Sequence, residues 1–489
     1  MNKRTFYFVL LCQFMFLFVT AQTGFEKTFQ KWALTPPMGW NSWDCFGPSV
    51  VESEVKSNTD YMAANLKQYG WEYIVVDIRW YVDNQTTGYY NTFSNSDFIY
   101  DEYGRYLPSP KRFPSSVNGA GFKPLADYIH SKGLKFGIHI MRGVPKVAVT
   151  NRLPIKDGKG KTAADIYSTA YECTWLHDNY TIVASKEGAQ EYYNSILELY
   201  ASWGVDFIKV DDLSRPYHQD EIELIRKAID STGRPIVLSL SPGATPVSAG
   251  EHVMNHANLW RITDDFWDRW ELLYAMFERL DAWTPYRGSG HFPDADMLPI
   301  GKIDFGRPTN FTKAEQYTLL TLWAIGRSPL IFGGDMTQLD LFTREMLTNP
   351  EMLKVNQEST NNRQVSRDCD LIVWAADAVP GSIGGSSVSP DGGPDGAPGY
   401  SGDGPGCCDS VPGPGDKYMA LFNAQSQGDA EAPSCGRIIG VDLRAIGIQG
   451  PARVTDLWNH KDLGVFEKEF SQEIPFHGAG LYRLSPVRP

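Results

Sequence analysis

The chain has 489 residues, 42% of them hydrophobic, and this length is enough for one large domain and a smaller one. Its formal net charge of −13 argues against nucleic acid and anionic membrane surfaces as partners. A neutral carbohydrate fits this charge better, and so do the 14 tryptophans and 24 tyrosines, since sugar faces pack on aromatic rings, although most of these side chains must belong to the core.

Residues 1–21 have the pattern of a signal peptide. A basic start precedes an apolar run from Thr5 to Thr20, and small residues lie before a cleavage point near Gln22. The run is short for a membrane span, and no later segment is apolar and long enough to cross a bilayer. The sequence therefore predicts an exported protein, periplasmic or extracellular.

Cysteines are few and scattered. Export would permit disulfides, but the spacing leaves the pairing open. No His/Cys spacing resembles a zinc site, and nothing in the sequence requires a metal or another cofactor. Six of the seven cysteines follow the signal segment: Cys45, Cys173, Cys369, Cys407, Cys408 and Cys435.

Apolar strands alternate with amphipathic helices from residue 33 to residue 350, which indicates a parallel sheet covered by helices. About eight such units predict a (β/α)8 TIM barrel. A doubly wound sheet is a weaker alternative, because no Gly-rich phosphate loop follows the first strand. In chain order the candidate strands are 38–43, 73–77, 134–139, 204–212, 235–240, 258–264, 296–300 and 329–332.

The fourth candidate strand is the most informative. A helical segment, 189–203, runs into Gly204, which fits the C′ position of a helix cap. The strand then delivers Lys209, Asp211 and Asp212 at its C-terminal end. Charges are costly inside a buried strand, so a carboxylate at this end usually lines a site. The structural alternative is an aspartate that caps the next helix.

Residues 351–489 have a different character and predict a small antiparallel β-sandwich domain with few helices. Its candidate strands are 371–375, 417–422, 437–441, 452–457 and 480–484. A run at 379–415 is dominated by Gly, Pro, Ser and Asp, which cannot bury a core, so we expect a long mobile loop there, one end of which a disulfide from Cys407 or Cys408 could hold.

Five strings in order together resemble a known family, the α-galactosidase-type glycoside hydrolases of family 27, which also include α-N-acetylgalactosaminidases. The resemblance is strong over residues 33 to 350 and loose over the β domain. The strings are Pro37-Met38-Gly39-Trp40-Asn41-Ser42-Trp43, Lys209-Val210-Asp211-Asp212, Trp260-Arg261-Ile262-Thr263-Asp264-Asp265-Phe266-Trp267-Asp268, Pro293-Asp294-Ala295-Asp296-Met297-Leu298 and Arg327-Ser328-Pro329-Leu330.

The resemblance implies a retaining mechanism with Asp211 as nucleophile and Asp265 as acid/base. Such a mechanism requires two carboxyl groups about 5–5.5 Å apart on either side of the scissile bond. Lys209 and Arg261 would bind ring hydroxyls and help keep Asp211 ionised. Asp212 and Asp264 are open to a second interpretation as helix caps.

The sequence differs from the family pattern at several positions that bind the sugar. The family's two consecutive aspartates after the second strand hold O4 and O6 of galactose, but here Ile78 follows Asp77. His139 stands at the family's active-site tyrosine, and Arg142 is a further candidate donor, although both could be structural. A Cys pair and a Cys-Glu-Trp string of the family are also replaced, by Leu213 at one position and by residues 241–243. The expected substrate-binding residues are Trp40, Asp77, His139, Lys209, Arg261 and Asp296.

We therefore expect an exo-acting glycosidase whose leading substrate is a terminal α-D-galactoside of an oligo- or polysaccharide. A β-L-arabinopyranosidase is the first alternative, because that sugar has the same ring arrangement without the hydroxymethyl arm. An α-1,6-glucan-cleaving enzyme is another. A carbohydrate-binding protein without turnover is the alternative from a different class, and aryl glycoside assays would separate it from the enzymes. The oligomeric state is left open.

Overall fold

The computed structural model describes residues 27–85, 90, 97–241, 243–381, 412–425 and 436–487. The predicted signal peptide and most of the loop predicted at 379–415 lie outside the described residues, as do Cys407, Cys408 and Cys435. Cys45 and Cys173 are buried free thiols.

The predicted TIM barrel is confirmed. Its eight parallel strands are β1 (Met38–Asn41), β2 (Tyr73–Val76), β3 (Lys135–Met141), β4 (Phe207–Asp211), β5 (Val237–Leu240), β6 (Leu259–Arg261), β7 (Phe292–Asp294) and β8 (Leu330–Phe332). They lie side by side in the order β7-β6-β5-β4-β3-β2-β1-β8. A bridge between Leu298, which follows β7, and Phe332 of β8 joins the two edges of this sheet.

Helices surround this sheet, and their buried faces pack on it. The principal helices are α1 (Glu52–Asn65), α2 (Lys123–Ser131), α3 (Ala189–Trp203), α4 (Gln219–Ser231), α5 (Gly250–Met254), α6 (Trp270–Trp283), α7 (Lys313–Gly326) and α8 (Pro350–Glu358). Shorter helices in the loops are Trp43–Phe46, Lys146–Thr150, Ala163–Ile166 and Leu341–Leu347, and shorter strands are Val144–Pro145, Tyr167–Ser168, Asn179–Ile182, Lys302–Ile303 and Arg307–Pro308.

The joint between α3 and β4 shows how the sequence positions a site strand. Gly204 ends α3 with φ 89°, in the left-handed region that glycine adopts at little cost. The chain then turns directly into β4, whose apolar residues Phe207, Ile208 and Val210 are buried. Asp211 is consequently the last residue of the strand, at the edge where TIM barrels carry their active sites.

The seventh strand corrects the sequence prediction. The expected strand at 296–300 is wrong, since β7 is Phe292–Asp294 and pairs with β6 in parallel register. Pro293 lies inside this strand and cannot donate to a ladder, which made the apolar run after Asp296 look like the better strand. In the structure Asp296 follows β7, so its carboxylate lies at the carboxyl end of the strand and near the other site residues.

The C-terminal part is an antiparallel β-sandwich, as predicted. Its strands are β9 (Ser359–Asp368), β10 (Leu371–Ala378), β11 (Lys417–Asn423), β12 (Arg437–Asp442), β13 (Ala452–Asp456), β14 (Lys461–Phe466), β15 (Glu469–Ile474) and β16 (Ala479–Pro486). A six-stranded sheet has the order β9-β10-β11-β16-β13-β14 and faces the pair β12-β15. Side chains such as Leu421, Ile439 and Phe470 form the core between the two sheets. The sequence prediction missed three of these strands, β9, β14 and β15.

Helix α7 connects the barrel to the sandwich. Nearly all of its residues from Glu315 to Gly326 are buried, because the sandwich covers the face that a barrel helix usually exposes. Trp458 donates from Nε1 to Thr321 Oγ1 at 2.9 Å, and the Thr318 hydroxyl donates to the His477 carbonyl at 2.6 Å. One hydrophobic core therefore continues from the barrel into the sandwich. Among the described helices, no span has the length and apolar character that crossing a membrane requires.

Candidate active site

A cavity of about 690 Å³ opens at the carboxyl ends of the barrel strands. Its lining brings together six of the eight predicted site residues, although they are far apart in the chain: Asp77, Lys209, Asp211, Arg261, Asp265 and Asp296. Their convergence follows from the parallel sheet, since all strand ends of one direction meet at the same edge.

Asp211 is held at both carboxylate oxygens. His139 Nε2 lies 2.7 Å from Oδ2, and the backbone N–H of Asp212 donates to Oδ1 at 2.8 Å. Because a carboxylate only accepts, Nε2 of His139 carries the proton in this contact. Asp211 is only 6% exposed, so these contacts orient a carboxylate that little water reaches.

Asp77 and Lys209 form the polar floor of the cavity. Lys209 Nζ lies 2.9 Å from Asp77 Oδ2, and Asn41 Nδ2 donates to the same oxygen at 2.7 Å. Burial alone would raise the pKa of Asp77, but the charge of Lys209 and the hydrogen bond from Asn41 outweigh it and lower the pKa to about 2. Asp77 is therefore an ionised hydrogen-bond acceptor in the cavity.

Arg261 links two further carboxylates. Its Nη2 lies 2.8 Å from Asp296 Oδ2 and 3.3 Å from Asp265 Oδ1. Burial raises the pKa of Asp296 to about 6, even though Arg261 acts in the opposite direction. Asp265 differs from Asp211 in its surroundings, because its side chain is 59% exposed and lies at the cavity mouth.

Asp212 lines the cavity beside Asp211, and Arg142 lies behind it. Arg142 contacts Asp212 Oδ2 at 2.8 Å and Glu221 Oε1 at 3.0 Å. Burial, with a smaller contribution from the charge of Asp211, raises the pKa of Asp212 to about 6 against the effect of Arg142. Arg142 is buried and does not line the cavity, so its contacts position the end of β4.

Two expected sugar-binding residues do not line the cavity. Trp40 is fully buried and donates from Nε1 to the Gly334 carbonyl at 2.9 Å. Trp43 lines the cavity in its place. Successive side chains of a strand point to opposite faces of the sheet. Asn41 points toward the cavity, where it contacts Asp77, so its neighbour Trp40 points away from the cavity. His139 is also fully buried, and it acts through Asp211.

The sequence prediction also missed Asp44, which follows Trp43 and lines the cavity. Burial raises the pKa of this carboxyl well above its ordinary value, and the charge of Asp296 adds to the effect. Its Oδ2 makes no hydrogen bond to any described residue. A protonated carboxyl there can donate a hydrogen bond into the cavity.

The mouth of the cavity carries aromatic side chains that the sequence did not indicate. Trp43 stacks on Tyr90 with ring centroids 5.8 Å apart, and Tyr90 lies 6.0 Å from Trp175. Arg215 and Asp264 form an exposed ion pair that also lines the cavity. Trp43 begins a short helix directly after β1, and the others lie on loops, where no periodicity marks a site.

A possible metal-binding group lies elsewhere. Glu223, His252 and His256 place one ligand atom each within 4.8 Å of one another. Within the described ranges this is the only such group of three, and none of its members lines the active-site cavity. The charged side chains that line the active-site cavity are carboxylates, Lys209, Arg215 and Arg261.

Comparisons with known proteins agree with this geometry. The α-galactosidase A family model matches residues 35–166 and 146–358, and the model of the α-galactosidase C-terminal β-sandwich domain matches residues 412–484. Alpha-galactosidase 2 of Arabidopsis thaliana is 25% identical over 458 residues, covering 93% of this chain and 90% of the relative. The α-galactosidase of Coffea arabica is 29% identical over 460 residues, 93% of this chain and 94% of the relative.

A solved structure is more similar than these relatives. The family 27 β-L-arabinopyranosidase of Geobacillus stearothermophilus is 45% identical, with a TM-score of 0.83 over 94% of this chain and 98% of that one. Together, the barrel, the sandwich and the family model over most of the chain lead to one conclusion: this protein is a glycoside hydrolase and belongs to the α-galactosidase A family, glycoside hydrolase family 27.

Proposed function

We propose that the protein is a retaining exo-glycosidase that prefers terminal β-L-arabinopyranosides and accepts α-D-galactosides as the second substrate. The observation that carries this proposal is Ile78. It lines the cavity next to Asp77, is 2% exposed, and offers no hydrogen bond from its side chain. In the family pattern a carboxylate at this position holds the hydroxymethyl group of galactose, which β-L-arabinopyranose lacks.

The energetics favour the smaller sugar. A hydroxyl buried against Ile78 without a partner costs about 1–3 kcal/mol, which is roughly tenfold or more in specificity. Asp77 and Lys209 remain available for the hydroxyls that the two sugars share. The similarity to the β-L-arabinopyranosidase supports the same substrate, since a second structure of that enzyme, 44% identical to this chain, holds arabinose.

α-Galactosidase activity remains the second candidate because the curated relatives at 25% and 29% identity carry that name. Asp44 favours it further, since a protonated carboxyl in the cavity is an additional donor that the galactose hydroxymethyl group could use. We expect measurable but weaker turnover of α-galactosides on these grounds.

The proposed mechanism assigns one role to each carboxylate. Asp211 attacks the anomeric carbon, and Asp265 gives its proton to the leaving oxygen as the glycosidic bond breaks. The glycosyl ester on Asp211 is then hydrolysed by a water molecule that Asp265 deprotonates. The buried, doubly held Asp211 suits a nucleophile, and the exposed Asp265 suits proton exchange at the mouth.

The test compares kcat/KM for p-nitrophenyl β-L-arabinopyranoside and p-nitrophenyl α-D-galactoside. We expect the arabinoside to be preferred by roughly tenfold or more. Ile78→Asp should raise kcat/KM for the galactoside. Ile78→Ala, which adds space without a buried charge, should also reduce the ratio of kcat/KM for the arabinoside to that for the galactoside. Galactose-exclusive activity of the wild type that falls in both variants would contradict the proposal.

We also propose that the protein is exported and that cleavage occurs near Gln22. The basic start and apolar run of residues 1–21 support this. Intact mass of the protein from the periplasm or medium should match a chain that begins near Gln22. A full-length chain confined to the cytoplasm would contradict export.

A further inference from the structure

Three side chains between helices α4 and α5 have the chemistry of a metal site. Glu223 projects from α4, His252 from α5 and His256 from the helical turn that follows, in which the His256 N–H donates to the Val253 carbonyl at 3.0 Å. The two histidines are four residues apart, so they lie on one face of this turn. The same spacing carries the two histidine ligands of zinc sites built on a helix. Sequence spacing alone does not reveal the group, because the carboxylate comes from another helix.

The distances between the ligand atoms fit zinc. Ligand atoms about 2.0–2.2 Å from a tetrahedral zinc ion are about 3.3–3.6 Å from one another. His252 Nε2 lies 3.5 Å from Glu223 Oε1, which is this spacing. The His252 and His256 rings stack with centroids 4.1 Å apart, and the three ligand atoms lie within 4.8 Å of one another. A small rotation of the half-buried His256 side chain is enough to complete the set.

Neighbouring groups orient both imidazole rings for a metal at Nε2. His256 Nδ1 lies 2.8 Å from the His252 carbonyl, which can only accept, so Nδ1 carries the proton and Nε2 of the neutral ring keeps its lone pair. Tyr217 Oη lies 2.5 Å from His252 Nδ1. Because a hydroxyl oxygen can accept from Nδ1–H, this contact also allows Nε2 of His252 to bind a metal. Such outer contacts are typical of histidines that bind metals.

His252 Nε2 is the atom that most needs a partner. It is buried and makes no hydrogen bond to any described residue. A buried nitrogen without a partner destabilises the fold, and a bound ion would satisfy it. The carboxylate of Glu223 is 35% exposed, so an ion can enter from the solvent on that side.

We propose that Glu223, His252 and His256 form a zinc site that joins α4 to α5, with a water molecule as the fourth ligand. Two imidazoles and one carboxylate suit zinc, whereas Mg²⁺ and Ca²⁺ require oxygen ligands. None of the three described side chains lines the active-site cavity, so the ion would stabilise the barrel and take no part in glycoside hydrolysis. The helix that carries Glu223 is the one that follows β4, the strand of Asp211.

Zinc binding to the full chain, prepared without a histidine tag and stripped with EDTA, tests the proposal by titration calorimetry. We expect one Zn²⁺ per chain with a Kd of about 10 µM or lower, and no binding of Mg²⁺ under the same conditions. Glu223→Gln, His252→Gln and His256→Gln should each weaken zinc binding by roughly tenfold or more. No zinc binding by the wild type, or equal binding by the wild type and the three variants, would overturn the site.

His460→Asn is the matched control. His460 is an exposed histidine of the sandwich, and its φ of 51° is one that asparagine tolerates well. This variant should bind zinc with a Kd within roughly twofold of the wild type. If it loses as much affinity as the three ligand variants, zinc binds to surface histidines in general and the assignment is wrong.

Thermal unfolding tests whether the ion joins the two helices. Zinc at about 100 times its Kd should raise the Tm of the wild type and of His460→Asn by roughly 2–5 °C, and should leave the Tm of the ligand variants unchanged. Zinc that binds without raising the Tm of the wild type would overturn the stabilising role. Activity on aryl glycosides enters neither measurement, so the zinc site and the proposed glycosidase function can fail separately.

Two further measurements apply if His252→Gln does not fold. Tyr217→Phe removes the oxygen that accepts from His252 Nδ1 and should weaken zinc binding by about tenfold, as expected of a positioning residue. Co²⁺ in place of zinc should give visible absorption bands in the wild type that are absent from His256→Gln. Identical Co²⁺ spectra of these two proteins would exclude His256 as a ligand and overturn the proposed site.

Discussion

Asp211 has the environment of a nucleophile, and its removal is the most direct test of the mechanism. Asp211→Ala should lower kcat by several orders of magnitude, because the variant has no carboxylate at the position from which Asp211 would attack the anomeric carbon. Azide should restore part of the turnover of an activated aryl glycoside and give a glycosyl azide of inverted configuration. Asp212→Ala is the control for a neighbouring carboxylate, and activity like the wild type in Asp211→Ala would end the assignment.

Asp265 should matter in proportion to how poor the leaving group is. Acid assistance is needed only when the leaving oxygen must gain a proton, so Asp265→Ala should harm alkyl glycosides far more than dinitrophenyl glycosides. We expect roughly 100-fold or more loss of kcat/KM on alkyl glycosides and a much smaller loss on dinitrophenyl glycosides. Equal loss on both classes would exclude Asp265 as the acid.

Asp212 should make stability depend on pH. Its folded-state pKa of about 6 lies above its ordinary value of 3.8, so the folded protein binds more protons than the unfolded chain between these values. The contribution of this group to stability is fully present below its ordinary pKa and is lost as the pH rises through the folded-state value. Asp212→Asn removes the titration and keeps a side chain of nearly the same size.

The free energy of unfolding should show this difference. Measured by urea denaturation, the variant minus wild-type value should become more positive from about pH 4 to about pH 7, by up to about 3 kcal/mol. A difference that stays constant or falls over this range would contradict the raised pKa.

At the scale of elements, Gly204 sets the angle between α3 and the strand that carries Asp211. A Cβ there would be strained at φ 89° and would lie 3.2 Å from His130 Cε1. Gly233 has φ 68° before β5, and a Cβ added to it would meet no heavy atom of the described residues within 4 Å. Gly204→Ala should therefore cost about 1–2 kcal/mol, and more than Gly233→Ala, in thermal or urea unfolding. Equal costs would show that only the backbone conformation matters.

Elements with a clear pattern could be predicted from the sequence. The first six barrel strands and the eighth follow glycine joints or continuous apolar runs, and these local signals survive in the fold because packing reinforces them. The predicted range of the seventh strand was wrong because Pro293 lies inside the strand. Strands β14 and β15 of the sandwich were missed because they are largely exposed and have no continuous apolar run.

The site was predictable to the extent that it lies on strand ends. Asp77, Asp211 and Arg261 close a strand or follow one directly, and Lys209 lies two residues before the end of β4, so topology alone brings them together. Trp43, Tyr90 and Trp175 come from loops of different length, and their meeting depends on tertiary contacts such as the pair of Arg79 and Asp178. No spacing along the chain encodes such contacts.

At the scale of the molecule, the barrel and the sandwich share a core and should unfold together. Phe422 of β11 is fully buried and lies 5.0 Å from Phe277 of α6, centroid to centroid. Phe422→Ala should cost about 3–5 kcal/mol of the free energy of unfolding and lower the temperature at which activity is lost.

Phe470→Ala is the informative partner variant, because Phe470 is fully buried within the sandwich's own core. If the two parts form one cooperative unit, Phe470→Ala also lowers the inactivation temperature, and calorimetry gives a single transition. Two transitions, with activity lost in only one of them and unaffected by Phe470→Ala, would show that the sandwich unfolds independently of the barrel.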